Sequence, residues 1–211
     1  MSPISLREPL KSLVLKTPIS FKSTRAAIDG TGLESRHISQ YFRHRCTFSG
    51  DKNRIGFWKR HPKLSIIADC ETHLILAVRA GRGPSPDVHQ MKDTFKGMPK
   101  SVTIKQLLGD AGYDSEENHR YARDDLRIDT LIPPSCGRPT KKPANGKYRR
   151  IMQKAFRRKP KDFGQRWQVE TTFSMLKRNL GSALSARNFW SQCREISLRS
   201  LTHNLMIVAA L

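Results

Sequence analysis

The chain has 211 residues, 37% of them hydrophobic, and carries 39 Lys and Arg against 18 Asp and Glu, a formal net charge of +21. That much apolar material supports one packed domain, while the charge points to a polyanionic partner, nucleic acid before a membrane surface. The four cysteines (Cys46, Cys70, Cys136, Cys193) show neither metal-ligand spacing nor disulfide density, the apolar run over 205–211 is too short to span a bilayer, and no secretory signal opens the chain.

Residues 1–24 are rich in Ser, Pro and Lys and read as an irregular leader. A strand is expected over 25–29, running into Gly30-Thr31-Gly32, small residues that let another backbone approach. Residues 36–63 are basic and aromatic, with Asp51 as their one acid, and read as a long loop. The β-branched runs 63–69 and 73–79 suit a hairpin. Breakers at 81–86 precede a helix over 87–95 and a short strand over 106–110. Asp114-Ser115-Glu116-Glu117 reads as an N-cap with a box-like partner, opening a helix to about residue 125. A last short strand, 130–132, stops at Pro133-Pro134. Residues 133–162 hold eleven Lys and Arg and the single acid Asp162. This basic insertion is either a solvated loop or a segment ordered by DNA. One helix follows over 163–180, ended by Gly181, and another over 189–209 with Trp190, Cys193, Ser197, Leu201, Leu205 and Val208 on one stripe. The order of elements gives an α/β fold with a mixed sheet.

The segment Phe163-Gly-Gln-Arg166-Trp-Gln-Val-Glu170, continuing to Lys177, is the most informative. At 100° per residue, Phe163, Glu170 and Lys177 fall at about 60°, 40° and 20° from Arg166 on one helix face. Val169, Phe173, Leu176 and Leu180 form an adjoining apolar stripe. Alone, Arg166 and Glu170 are an ordinary i,i+4 surface pair. Asp29 and Asp110 change the weighing: each closes an expected strand beside glycine, in Asp29-Gly30 and Asp110-Ala111-Gly112. Acids at strand ends next to small residues suit a site, although Asp-Gly also suits a turn and Asp110 could lead a helix. Three carboxylates from different elements can hold two divalent ions for in-line attack on a phosphodiester. Arg166 and Lys177 would then contact phosphate.

These blocks resemble the DDE transposases of bacterial insertion sequences, in the group with a Tyr-Arg-Glu-Lys signature. The signature matches Phe163, Arg166, Glu170 and Lys177. Ala27-Ile28-Asp29-Gly30-Thr31-Gly32 and Leu108-Gly109-Asp110-Ala111-Gly112-Tyr113 are similar to the family's first and second aspartate blocks. The resemblance implies an RNase H-like fold, a mixed five-stranded sheet flanked by helices, over 25–211, with the basic insertion before the last two helices. It implies Asp29, Asp110 and Glu170 as catalytic ligands of Mg²⁺ or Mn²⁺, with two ions, and Arg166 and Lys177 as DNA-phosphate contacts. Its implied activity is cleavage of transposon ends and transfer of the freed 3′-hydroxyl into target DNA. Double-stranded DNA is the expected partner, with a homo-oligomer assembled on it and a cytoplasmic, nucleoid-associated setting. Phe163 departs from the usual tyrosine and removes a phenolic hydroxyl. Only 24 residues precede the first block, where the family usually carries an end-recognition region. A truncated or inactive remnant that only binds DNA is therefore the alternative, and an RNase H-like nuclease acting by hydrolysis alone is a third. Within the insertion, Arg149, Arg150, Arg157 and Arg158 are expected DNA contacts.

Overall fold

The computed structural model describes residues 22–35, 61–135 and 143–210. The leader up to residue 21, the basic loop over 36–60 and insertion residues 136–142 lie outside the described residues. The strands are β1 (Lys22–Gly32), β2 (Glu34–Ser35), β3 (His61–Asp69), β4 (Ile75–Gly83), β5 (Thr103–Gly109), β6 (Asp129–Leu131) and β7 (Ala183–Leu184). The helices are α1 (Met91–Phe95), α2 (Glu116–Arg120), α3 (Lys147–Arg157), α4 (Gln168–Leu180) and α5 (Phe189–Ala209).

Five strands make one mixed sheet in the order β4-β3-β1-β5-β6. β3 runs antiparallel to β1 and β4, while β5 runs parallel to β1 and β6 to β5. This is the expected α/β, RNase H-like arrangement. The central strand β1 is covered on both faces, which is why Ala26, Ala27 and Ile28 are small or β-branched and fully buried. On one face Ala27, Leu64 and Ile66 pack with Met152, Val169, Phe173, Leu176 and Ile196 of α3, α4 and α5. On the other, Ala26, Ile28 and Ile67 pack with Met91, Phe95, Tyr113 and Ala122.

Several expected elements change in detail. β1 begins at Lys22, three residues before the expected start. The helix expected over 87–95 is a 3-10 turn, Asp87–His89, followed by α1. Gln90 separates them: it is buried, accepts a hydrogen bond from Ser65 Oγ and donates to Ser85 Oγ. Ser115, not Asp114, caps α2 by accepting from Asn118 N. α2 itself ends at Arg120 and widens into a π turn over Tyr121–Asp125. Gly181, at φ 90°, ends α4 as expected.

The last helix has the expected bounds but another buried face. Gln192, Ile196, Ser200, His203 and Asn204 face inward, while Trp190 and Leu205 are 63% and 47% exposed. Polar contacts with the sheet set the rotation. Asn204 accepts from Ile75 N at 2.8 Å and donates to Ile75 O at 2.9 Å, closing the backbone groups of edge strand β4. His203 meets the His73 carbonyl at 3.0 Å. An unpaired buried amide costs about 1–3 kcal/mol, enough to outweigh one Leu left partly in water.

Candidate active site

β1 and β5 pair in parallel, with Ile28 opposite Gly109. The next residue on each chain is an aspartate, so Asp29 and Asp110 leave adjacent strands side by side. Crevices at the carboxyl ends of parallel strands are where α/β sheets open a site. Asp29 is mostly buried, and its carboxylate accepts from Gly30 N at 2.7 Å. Burial pushes the Asp29 carboxyl up to about 6, with the Asp110 and Asp87 charges adding to it; the Gly30 amide and the Arg166 guanidinium oppose the rise. Asp110 caps the 3-10 turn Ala111–Tyr113 by accepting from Gly112 N at 2.9 Å.

Glu170 lies in the first turn of α4, and its carboxylate accepts from Arg166 Nη2 at 2.7 Å. The other amine of Arg166 approaches Asp29 to 3.9 Å. A single guanidinium therefore links the strand acid to the helix acid. This is what separates the pair from an ordinary exposed i,i+4 bridge, worth only a few tenths of a kcal/mol. Lys177 is two turns further along the same helix face and donates to Thr31 Oγ1 at 2.7 Å. Asp29, Gly30, Thr31, Glu170, Phe173, Ser174, Lys177 and Arg178 line an open cleft of about 510 Å³. Asp110 does not line it, although its charge acts on Asp29.

The donor chemistry fits a hard divalent cation: carboxylate oxygens from two adjacent strand ends, with Asp29 short of counter-charge. The third donor is held apart. Among the described residues, no three His, Cys, Asp or Glu side chains are placed to hold an ion together. In this arrangement Glu170 is tied to Arg166.

The single-helix geometry expected for Phe163, Arg166, Glu170 and Lys177 is corrected. Lys161–Trp167 is a 3-10 turn, and α4 begins only at Gln168. Phe163 leaves the charged stripe and packs edge-on against Phe156, ring centroids 4.9 Å apart. The connection from α3 turns at Lys159 (φ 47°) and Pro160, and Asp162 is pinned to Arg25 of β1 at 3.3 Å. The tighter turn fits this short path, and Arg166 still reaches Glu170. Trp167 is 57% exposed.

The described part of the basic insertion contains an ordered helix, α3, rather than only loop. Glu116 accepts from Tyr148 N and Arg149 N, both at 3.0 Å, so an acid of α2 closes the helix N-terminus. Tyr148 Oη donates to Asp124. Arg149, expected as a DNA contact, is engaged in an ion pair within the protein. Its Nε and Nη2 bind Asp114 Oδ2 at 2.9 and 2.7 Å, and the Asp114 side chain is 0% exposed. Arg150, Arg157 and Arg158 are exposed, as are Lys147 and Lys154 beside them.

Sequence reasoning missed Asp87 and Lys63. Lys63 Nζ donates to Asp87 Oδ1 at 2.7 Å and to Ser85 O at 2.8 Å. Asp87 opens the turn just after the breaker run 81–86, and that position was its only signal.

The family model described as the transposase DDE domain matches residues 20–205. No curated protein matches the chain.

Proposed function

Since the chain belongs to the transposase DDE-domain family, whose members act in DNA transposition and generally work with divalent metal ions, we propose that it cleaves transposon ends and joins the freed 3′-hydroxyl to target DNA. The observation that carries this reading is the pairing of Asp29 and Asp110 at adjacent strand ends, with Arg166 bridging Asp29 to Glu170 beside an open cleft.

Asp29 and Asp110 would hold Mg²⁺ or Mn²⁺, two ions in the full reading, with Glu170 as third ligand. When bound, the metal supplies activation of the attacking hydroxyl and stabilisation of the leaving oxygen. The residues of the chain supply the rest. A DNA phosphate can replace the half-exposed Glu170 carboxylate on Arg166, because both accept the guanidinium fork in a bidentate way. Transfer of Arg166 to phosphate frees Glu170 to turn toward Asp29. Lys177, held by Thr31, and Arg178 line the same cleft and would fix the strand beside the acids. No described feature favours the remnant that only binds DNA, since the three acids and both signature cations are all present.

The test is a joining assay with pre-cut 3′ ends. Joined product is expected with Mg²⁺ or Mn²⁺ and none with chelator. Hydrolysis without joining would replace the transposase reading with that of a nuclease.

Double-stranded ends and target DNA are the proposed partners, with copies of the chain assembling on them at the nucleoid. No helix among the described residues is long and apolar enough to cross a membrane. The exposed arginines of the insertion would track phosphates. Replacing Arg150, Arg157 and Arg158 by Ala should weaken DNA binding and flatten the plot of log affinity against log salt by roughly 0.9 for each phosphate no longer neutralised. An unchanged slope in fluorescence anisotropy would remove these side chains from the interface.

A further inference from the structure

Asp87 stands where the two aspartate blocks meet. A methyl group built on Gly30 would lie 3.1 Å from Asp87 Oδ1 and 3.1 Å from Lys63 Cε. One built on Gly112 would lie 3.6 Å from Asp87 Cβ and 3.0 Å from Asp110 Oδ1. The glycine that follows each aspartate therefore leaves room for the same third acid. Asp87 keeps one oxygen on Lys63, whose side chain is only 11% exposed. Among the described residues its other oxygen has no hydrogen-bond partner.

A second, independent feature marks this space. Tyr113 is 0% exposed, and its hydroxyl is buried with no hydrogen-bond partner among the described residues. That hydroxyl lies in the field of Asp87, Asp29 and Asp110. A buried hydroxyl without a partner is unusual in a folded protein, and here the charges of three carboxylates act on it.

We propose that Asp87 is a fourth carboxylate of the ion-binding centre, fixed by Lys63 between Gly30 and Gly112 and acting as a positioning residue for a divalent cation at Asp29 and Asp110. The proposal rests on the metal reading given above. Partners of this kind typically change metal affinity by about 10- to 100-fold when removed.

The experiment is Mn²⁺ titration of the full chain without DNA, read by electron paramagnetic resonance, with thermal melting in chelator as the check on folding. Four proteins are compared: the native chain, Asp29→Asn, Asp87→Asn, and the double variant Lys63→Met with Asp87→Asn. The double variant removes the lysine that Asp87→Asn would leave half-buried and unpaired. Asp87→Asn and the double variant should both bind Mn²⁺ at least about 10-fold more weakly. Native affinity in Asp87→Asn, or its recovery in the double variant, would overturn the proposal; recovery would trace the loss to the stray Lys63 charge. If Asp29→Asn binds Mn²⁺ as the native chain does, the metal reading itself fails and the proposal with it. Loss in Asp29→Asn alone defeats only the role of Asp87.

Discussion

Asp29→Asn should reduce metal-dependent joining by at least about 10³-fold and, in chelator at pH 8, make the protein more stable than the native chain. The first effect follows from removing a ligand whose charge stabilisation is worth several kcal/mol, at about 1.4 kcal/mol per factor of ten in rate. The second follows from burial. The Asp29 carboxyl is raised from its ordinary 3.8 to about 6 by desolvation and by the Asp110 and Asp87 charges, against the pull of the Gly30 amide and Arg166. A raised carboxyl holds its proton more tightly folded than unfolded. Its contribution is fully present below the ordinary value and is lost as pH climbs through about 6. The loss at pH 8 is at most about 3 kcal/mol, and for a chain of this size it corresponds to several degrees of melting temperature. Asparagine has no charge to desolvate. Melting curves in chelator should therefore separate the two proteins at pH 8 and bring them together only below the ordinary carboxyl value of 3.8. Equal melting temperatures at pH 8 would show that Asp29 is not held under strain. Mn²⁺ should stabilise the native chain and leave the variant unmoved.

Arg149→Ala should cost about 3–5 kcal/mol of stability, the usual cost of breaking a buried ion pair from one side. Asp114 would be left with 0% of its side chain exposed and without its guanidinium. Burial works to raise the Asp114 carboxyl, but hydrogen bonds from His119, Arg149 and the Ser135 amide outweigh it and hold the group below its ordinary value. A lowered carboxyl contributes stability above its ordinary range and loses it as pH falls. The penalty of Arg149→Ala should therefore be large at pH 7 and shrink in acid, where Asp114 can take a proton. Arg150→Ala, one residue along but exposed, should stay within about 0.5 kcal/mol. Urea unfolding of both variants checks this. Similar, small effects would mean that the Asp114–Arg149 contact does not anchor α3, and would return Arg149 to the DNA-facing set.

Neighbouring arginines in one basic run thus have different surroundings, one paired with a buried acid and one exposed, and nothing local distinguishes them. Arg149 and Arg150 differ by 100° of helix rotation, and only the position of α2 decides which one meets Asp114. The same holds for α5. Its bounds were legible from its helical periodicity, and Asn188 caps it in the structure. Its buried face was not, because Asn204 and His203 bond a strand about 130 residues away.

The sequence by itself determined the strand pattern, the mixed sheet and the family, and it singled out Asp29, Asp110 and Glu170 as candidate acids. These rest on local signals: hydrophobic period, turn residues and short motifs of fixed spacing. Tertiary structure alone decided which groups share a space. The parallel pairing of β1 with β5 set Asp29 beside Asp110. The 3-10 turn at Lys161–Trp167 turned Phe163 into the core and left Arg166 between Asp29 and Glu170. The turn after β4 carried Asp87 against Gly30 and Gly112, the glycines beside the two aspartates. Side chains far apart in sequence meet through strand register and packing, and no local pattern in the chain records that distance.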